Sequence, residues 1–115
     1  MILRMWIAHA TSDGAAQYQE HFASHVLPTL SRLDGCLGAS LLGRNDGQEV
    51  ELVVLSQWRD IDAIRAFTGD DLERAVVAEE ATAVLTRWEP RVRHFDERLR
   101  SGAQPASQAS GPARY

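Results

Sequence analysis

The sequence predicts an α+β fold in the order β-α-β-β-α-β, a ferredoxin-like arrangement with helices packed on a four-stranded antiparallel sheet. Three observations carry this. The apolar runs Ile2–Ala8 and Glu49–Trp58 have the length of strands. Between them Tyr18, Phe22, Val26, Leu30 and Leu33 recur at helical spacing. The run Asn45-Asp46-Gly47 contains the Asp-Gly step of a tight hairpin, which makes the second and third strands antiparallel neighbours.

Each element follows in turn. After the first strand, Thr11-Ser12-Asp13-Gly14 offers turn and N-cap chemistry for a helix over 15–33. Pro28 lies inside that pattern and should kink or shorten its last turns. Gly35-Cys36-Leu37-Gly38 ends the helix and opens a second strand through Leu42. The third strand runs Glu49–Trp58. Asp60 should cap a short helix to Phe67 that Gly69 ends, and Asp70 or Asp71 should start a further helix through about Thr86. Pro90 closes that segment, and Arg91–Asp96 forms the last strand.

The third strand is apolar on both faces: Val50, Leu52 and Val54 point one way, Val53 and Leu55 the other. An antiparallel sheet covered on one side should alternate with polar residues on its open side. A second copy of the chain is the natural cover, so a homodimer is expected.

With 115 residues and one cysteine, Cys36, residues 1–100 form a single domain without an intrachain disulfide. Residues 101–115, rich in Ser, Ala, Gly and Pro, read as a flexible tail. A net charge of −4, with dispersed arginines, argues against nucleic acid, whose phosphates require clustered cations. No apolar run approaches the ~20 residues that span a bilayer, and no secretory signal opens the chain. A cytoplasmic protein with no membrane partner is expected.

The segments Pro28-Thr29-Leu30, Gly35-Cys36-Leu37-Gly38, Gln57-Trp58, Ala63…Phe67…Gly69 and Val92-Arg93-His94-Phe95, in this order, resemble the antibiotic biosynthesis monooxygenase family over residues 1 to about 98. The resemblance implies a dimeric α/β barrel, with the sheets of two copies facing each other and a cavity in each subunit between helices and sheet. It also implies oxygenation of a small aromatic molecule, a polyketide or a quinol. A deprotonated phenol or anthrone can itself give an electron to O₂, so no cofactor is expected. The protein must then supply a dry cavity, a base and a donor to the developing oxygen anion. The alternative is a non-catalytic dimeric domain that binds a small ligand.

Within that frame His94 and Trp58 are the catalytic candidates. Imidazole suits proton abstraction near neutral pH, and His94 shares a strand face with Val92. It is otherwise a strand-end histidine bonded to Asp96 or a helix residue. Trp58 either lines the cavity with its N–H available, or fills the corner between strand and helix. His25, on the stripe of Tyr18 and Phe22, is a substrate-binding candidate with Phe22 and Phe67. The His21/His25 pair has i, i+4 spacing but no third ligand by any recognisable spacing, so no metal is expected. Cys36 reads as a packing residue. Haem-degrading relatives of the fold use a tryptophan and an axial histidine where this chain has Phe67 and Val77, and an asparagine where it has Ile7, which argues against haem.

Overall fold

The computed structural model describes residues 1–102 and shows the ferredoxin-like α+β architecture. Strand β1 (Ile2–Ala10) leads into helix α1 (Ser12–His21), a π-helical turn (Phe22–Val26) and helix α2 (Leu27–Ser31). The hairpin of β2 (Cys36–Asp46) and β3 (Glu49–Trp58) follows, then α3 (Ile61–Thr68), a one-turn α4 (Glu79–Thr82), β4 (Arg87–Trp88) and β5 (Arg93–Asp96). The sheet runs β2-β3-β1, all antiparallel, and both β4 and β5 pair with the far edge of β1. The fourth strand is therefore split. Residues 103–115, most of the expected tail, lie outside the described residues.

The local punctuation follows its chemistry. Thr11 Oγ1 accepts from the Gly14 N–H at 3.0 Å, and Asp60 Oδ1 from the Ala63 N–H at 2.9 Å, so both helices start on capped N–H groups. Gly47, with φ of +69°, is the first residue of the two-residue hairpin loop between the paired Asp46 and Glu49. Pro28 lacks an N–H and crowds the carbonyl four residues back. The helix relaxes just ahead of it into the π turn, where the Leu27 N–H reaches the Phe22 carbonyl five residues back.

The helix expected from Asp70 or Asp71 to Thr86 is not there; only Glu79–Thr82 is helical. Residues 73–75 run alongside 90–92 instead. The Ala75 N–H donates to the Pro90 carbonyl (2.9 Å), the Val92 N–H to the Glu73 carbonyl (2.8 Å), and Arg74 bridges to Arg91. The Arg4 guanidinium takes the carbonyls of Leu72 and Arg74. With those peptide groups bonded sideways, no i→i−4 ladder can form.

Even-numbered residues of β1 are buried under the helical layer: Ile2, Arg4, Trp6, Ala8 and Ala10. The apolar ones among them divide between two clusters. Trp6, Tyr18, Phe22 and Leu52 belong to one; Ile2, Leu30, Trp58 and Ile64 to the other. Arg4 stands between them in β1.

Candidate functional site

A cavity of about 270 Å³ opens between the helical arm and the covered face of the sheet. The arm contributes Tyr18, His21, His25, Val26, Thr29 and Leu30; β1 and β3 contribute Arg4, Trp6, Val54 and Ser56. Phe67, Ala81, Val92 and the extended stretch Val76–Ala78 complete the wall. The π turn widens the helix where His21 and His25 face the cavity, a local device frequent at functional sites. Their rings stack with centroids 5.2 Å apart and planes at 16°, and Tyr18 lies 5.7 Å from the His21 ring.

The walls are mainly apolar, and the polar groups among them are specific. Burial pushes the Tyr18 phenol up to about 12, which keeps it a neutral donor. Among the described residues its hydroxyl has no protein partner, yet no side-chain N or O is both sealed and unpartnered, so the hydroxyl is not sealed, and Tyr18 lines the cavity. Arg4 is only 5 % exposed. Its Nη1 donates to the Leu72 carbonyl at 2.6 Å and to His94 Nε2 at 2.9 Å, and its Nη2 to the Arg74 carbonyl at 2.8 Å. Burial, then the charge of Arg74, lowers Arg4 to about 10, and it stays cationic at neutral pH.

The sequence candidates divide. His25 and Phe67 line the cavity. Phe22 is buried in the core beside Tyr18, with ring centroids 6.4 Å apart. His94 lies behind Arg4 rather than in the lining. Since arginine only donates, His94 Nε2 is the acceptor. Burial first, then the Arg4 cation, holds the His94 imidazole below its ordinary pKa, against a smaller opposing pull from Glu73. Trp58 is fully buried outside the lining. Its Nε1 donates to Ser56 Oγ at 2.9 Å, and its ring stacks on Phe67 with centroids 5.5 Å apart. The indole N–H therefore meets Ser56, not the open cavity.

Arg4, Tyr18 and Ser56 are site residues that sequence reasoning passed over. Arg4 had a signal: a cation in the period-2 set Ile2, Arg4, Trp6, Ala8, Ala10 is anomalous on a buried strand face. Val77 meets the cavity with an aliphatic side chain, and Ile7 lies on the opposite face of β1 from Arg4 and Trp6. Burial pushes the Cys36 thiol up. Among the described residues, no group of three or more His, Cys, Asp or Glu gathers as a metal set, and no helix is long and apolar enough to cross a membrane.

A covered sheet, a split last strand and a cavity beneath a helical arm define a ferredoxin-like α+β fold with a candidate site. The chain belongs to the antibiotic biosynthesis monooxygenase family, whose model matches residues 1–79. It is similar to the uncharacterized protein Rv2558 of Mycobacterium tuberculosis H37Rv, 29% identical over 90 residues covering 78% of this chain and 36% of that protein. The chain spans about a third to a half of the length of such curated relatives. Among solved structures it resembles the monooxygenase from the gene ActVA-Orf6 of Streptomyces coelicolor, in complex with nanaomycin D. That match has a TM-score of 0.58 and 17% identity, over 90% of this chain and 91% of that one. It also resembles the heme degrader MhuD of M. tuberculosis, which holds two hemes in its active site. Here the TM-score is 0.57 and the identity 22%, over 89% of this chain and 100% of that one. At these identities the likeness is one of fold.

Proposed function

We propose that the cavity beneath the helical arm takes a small electron-rich aromatic molecule and promotes its oxygenation by O₂ without a cofactor. The observation that carries this reading is an apolar cavity bearing imidazoles and an unpartnered phenol hydroxyl. At about 270 Å³ it lies just below the ~300–1,000 Å³ range of ligand pockets, which favours a compact molecule of no more than about three fused rings.

In this reading His25 removes a proton from the phenol or from an anthrone methylene, and Tyr18 donates to the resulting oxygen anion. The carbanion passes one electron to O₂, and the radical pair collapses to a hydroperoxide at that carbon. Loss of water, with return of the proton, leaves a carbonyl. For the anthrone one CH₂ and one O₂ become one C=O and one H₂O; for a phenol the two hydrogens of that water come from a ring C–H and the O–H, which leaves a quinone. His94 holds Arg4, and Trp58 holds Ser56; both act on the cavity through those partners.

The pairing registers place Leu3, Met5, Ile7, Leu42, Val53, Leu55 and Phe95 together on the other face of the sheet. Leu42 and Phe95 are about half exposed. In our reading a second copy covers this face.

An oxygen electrode with an anthrone, a naphthohydroquinone and 1-naphthol tests the chemistry. We expect uptake with at least one, lowered by about 10²–10⁴-fold in His25→Ala, the usual worth of a positioned acid–base group. Binding of these compounds without oxygen uptake would replace oxygenation by the ligand-binding alternative.

A further inference from the structure

Seven exposed arginines meet carboxylates: Arg44, Arg59, Arg65, Arg87, Arg91, Arg93 and Arg100. Arg4, buried at the cavity, meets only two carbonyls and a histidine nitrogen. A buried cation without an opposite charge is costly, and a fold retains one readily where a ligand supplies that charge. The two carbonyl bonds give Arg4 a structural part, since they draw residues 72–74 against β1. They do not exhaust it. Guanidinium has five N–H donors, and these three bonds leave two of them. The Nε is among the unpartnered; no side-chain N or O among the described residues is both sealed and unpartnered, so it is not sealed, and Arg4 is one of the residues that line the cavity.

Ser56 stands beside it, paired with Arg4 across β1 and β3 and itself 4 % exposed. Its Oγ accepts the Trp58 N–H, so the hydroxyl hydrogen is left to donate, polarised by the bond it receives. The Phe67 ring, 5.8 Å from the guanidinium carbon, walls the same end. Arg74 adds positive potential from outside, as its effect on Arg4 shows.

We propose that this end of the cavity is an anion subsite, in which Arg4 and Ser56 hold the carboxylate of an aromatic ligand whose ring fills the apolar remainder. A planar guanidinium edge matches a carboxylate, and a cavity this small and apolar suits an aryl carboxylate better than a multiply charged phosphate. The proposal rests on the cavity being the ligand site, and not on the oxygen chemistry.

The test measures binding of 2-naphthoate and of its neutral isostere 2-naphthamide by calorimetry. For the wild type we expect naphthoate to bind roughly ten- to hundredfold tighter, the worth of hydrogen bonds to a charged group. Arg4→Met should bring the ratio close to one. Because that variant also loosens residues 72–74, Ser56→Ala combined with Trp58→Phe provides a fold-preserving second arm. It removes both partners of one bond, and should lower the ratio about three- to tenfold. Naphthamide binding as tightly as naphthoate would overturn the anion subsite and leave the aromatic pocket standing. A carboxylate preference that survives in folded Arg4→Met would overturn it too, and binding of neither probe would remove both readings.

Discussion

Trp6 and Trp58 are both buried indoles whose N–H groups the protein satisfies itself, one at the Glu89 carbonyl (2.8 Å) and the other at Ser56 Oγ. For Trp58→Phe the stack on Phe67 survives and one buried hydrogen bond is lost. Stability should fall by about 1 kcal/mol, read from the denaturant midpoint. His94 offers a second check. Its folded pKa lies below the unfolded value, so between the two the unfolded chain binds more protons. The neutral ring's contribution is whole above pH ~6.5 and declines as pH falls below it. The difference in melting temperature between wild type and His94→Gln should therefore shrink on acidification from pH 7.5 to pH 5. A difference independent of pH would mean that burial and the Arg4 cation do not hold the ring neutral. The histidines were legible in the sequence as candidates, because their residue type and face can be read from spacing. What each indole N–H or ring nitrogen bonds to depends on residues far away in the chain, such as Arg4 for His94, and was not.

The helical arm and the hairpin were legible because their signals are local. Thr11 and Asp60 cap, Gly47 turns, and Pro28 disturbs the helix beside it. The stretch after Gly69 misled for the same reason. Its Asp, Glu and Ala residues favour a helix locally, while the partners that prevented one, Arg4 and residues 90–92, come from other elements. Val76-Val77, β-branched and less suited to a helix, was the local hint. Gly14 shows the same override inside α1. Gly→Ala in a helix ordinarily stabilises by roughly 0.5–1 kcal/mol. Here a Cβ would sit 2.3 Å from the Val84 carbonyl oxygen, so the helix packs closely on the segment after α4. Gly14→Ala should lower the melting temperature, with an overpacking cost of about 1–3 kcal/mol. An increase would show that residues 83–85 can withdraw freely.

At the scale of the whole molecule, the two faces of the sheet differ in character. One holds the cavity, and the other is an apolar surface bordered by the ion pairs Arg44–Glu51 (2.6 Å) and Arg87–Glu49 (2.7 Å). A homodimer through that surface should appear at micromolar concentration in sedimentation velocity. Leu55→Glu, which puts a charge opposite Met5 at its centre, should shift it to monomer without emptying the cavity of its ligand. A stable wild-type monomer would mean that the face serves something other than a second copy. That the cavity is the ligand site is tested most directly by amide chemical-shift mapping with 2-naphthoate. Seated there, the ligand should shift residues 4–6, 18–30, 54–56 and 76–78. Shifts confined to Leu3, Leu42, Val53 and Leu55, or no shifts at ligand concentrations up to the millimolar range, would contradict it.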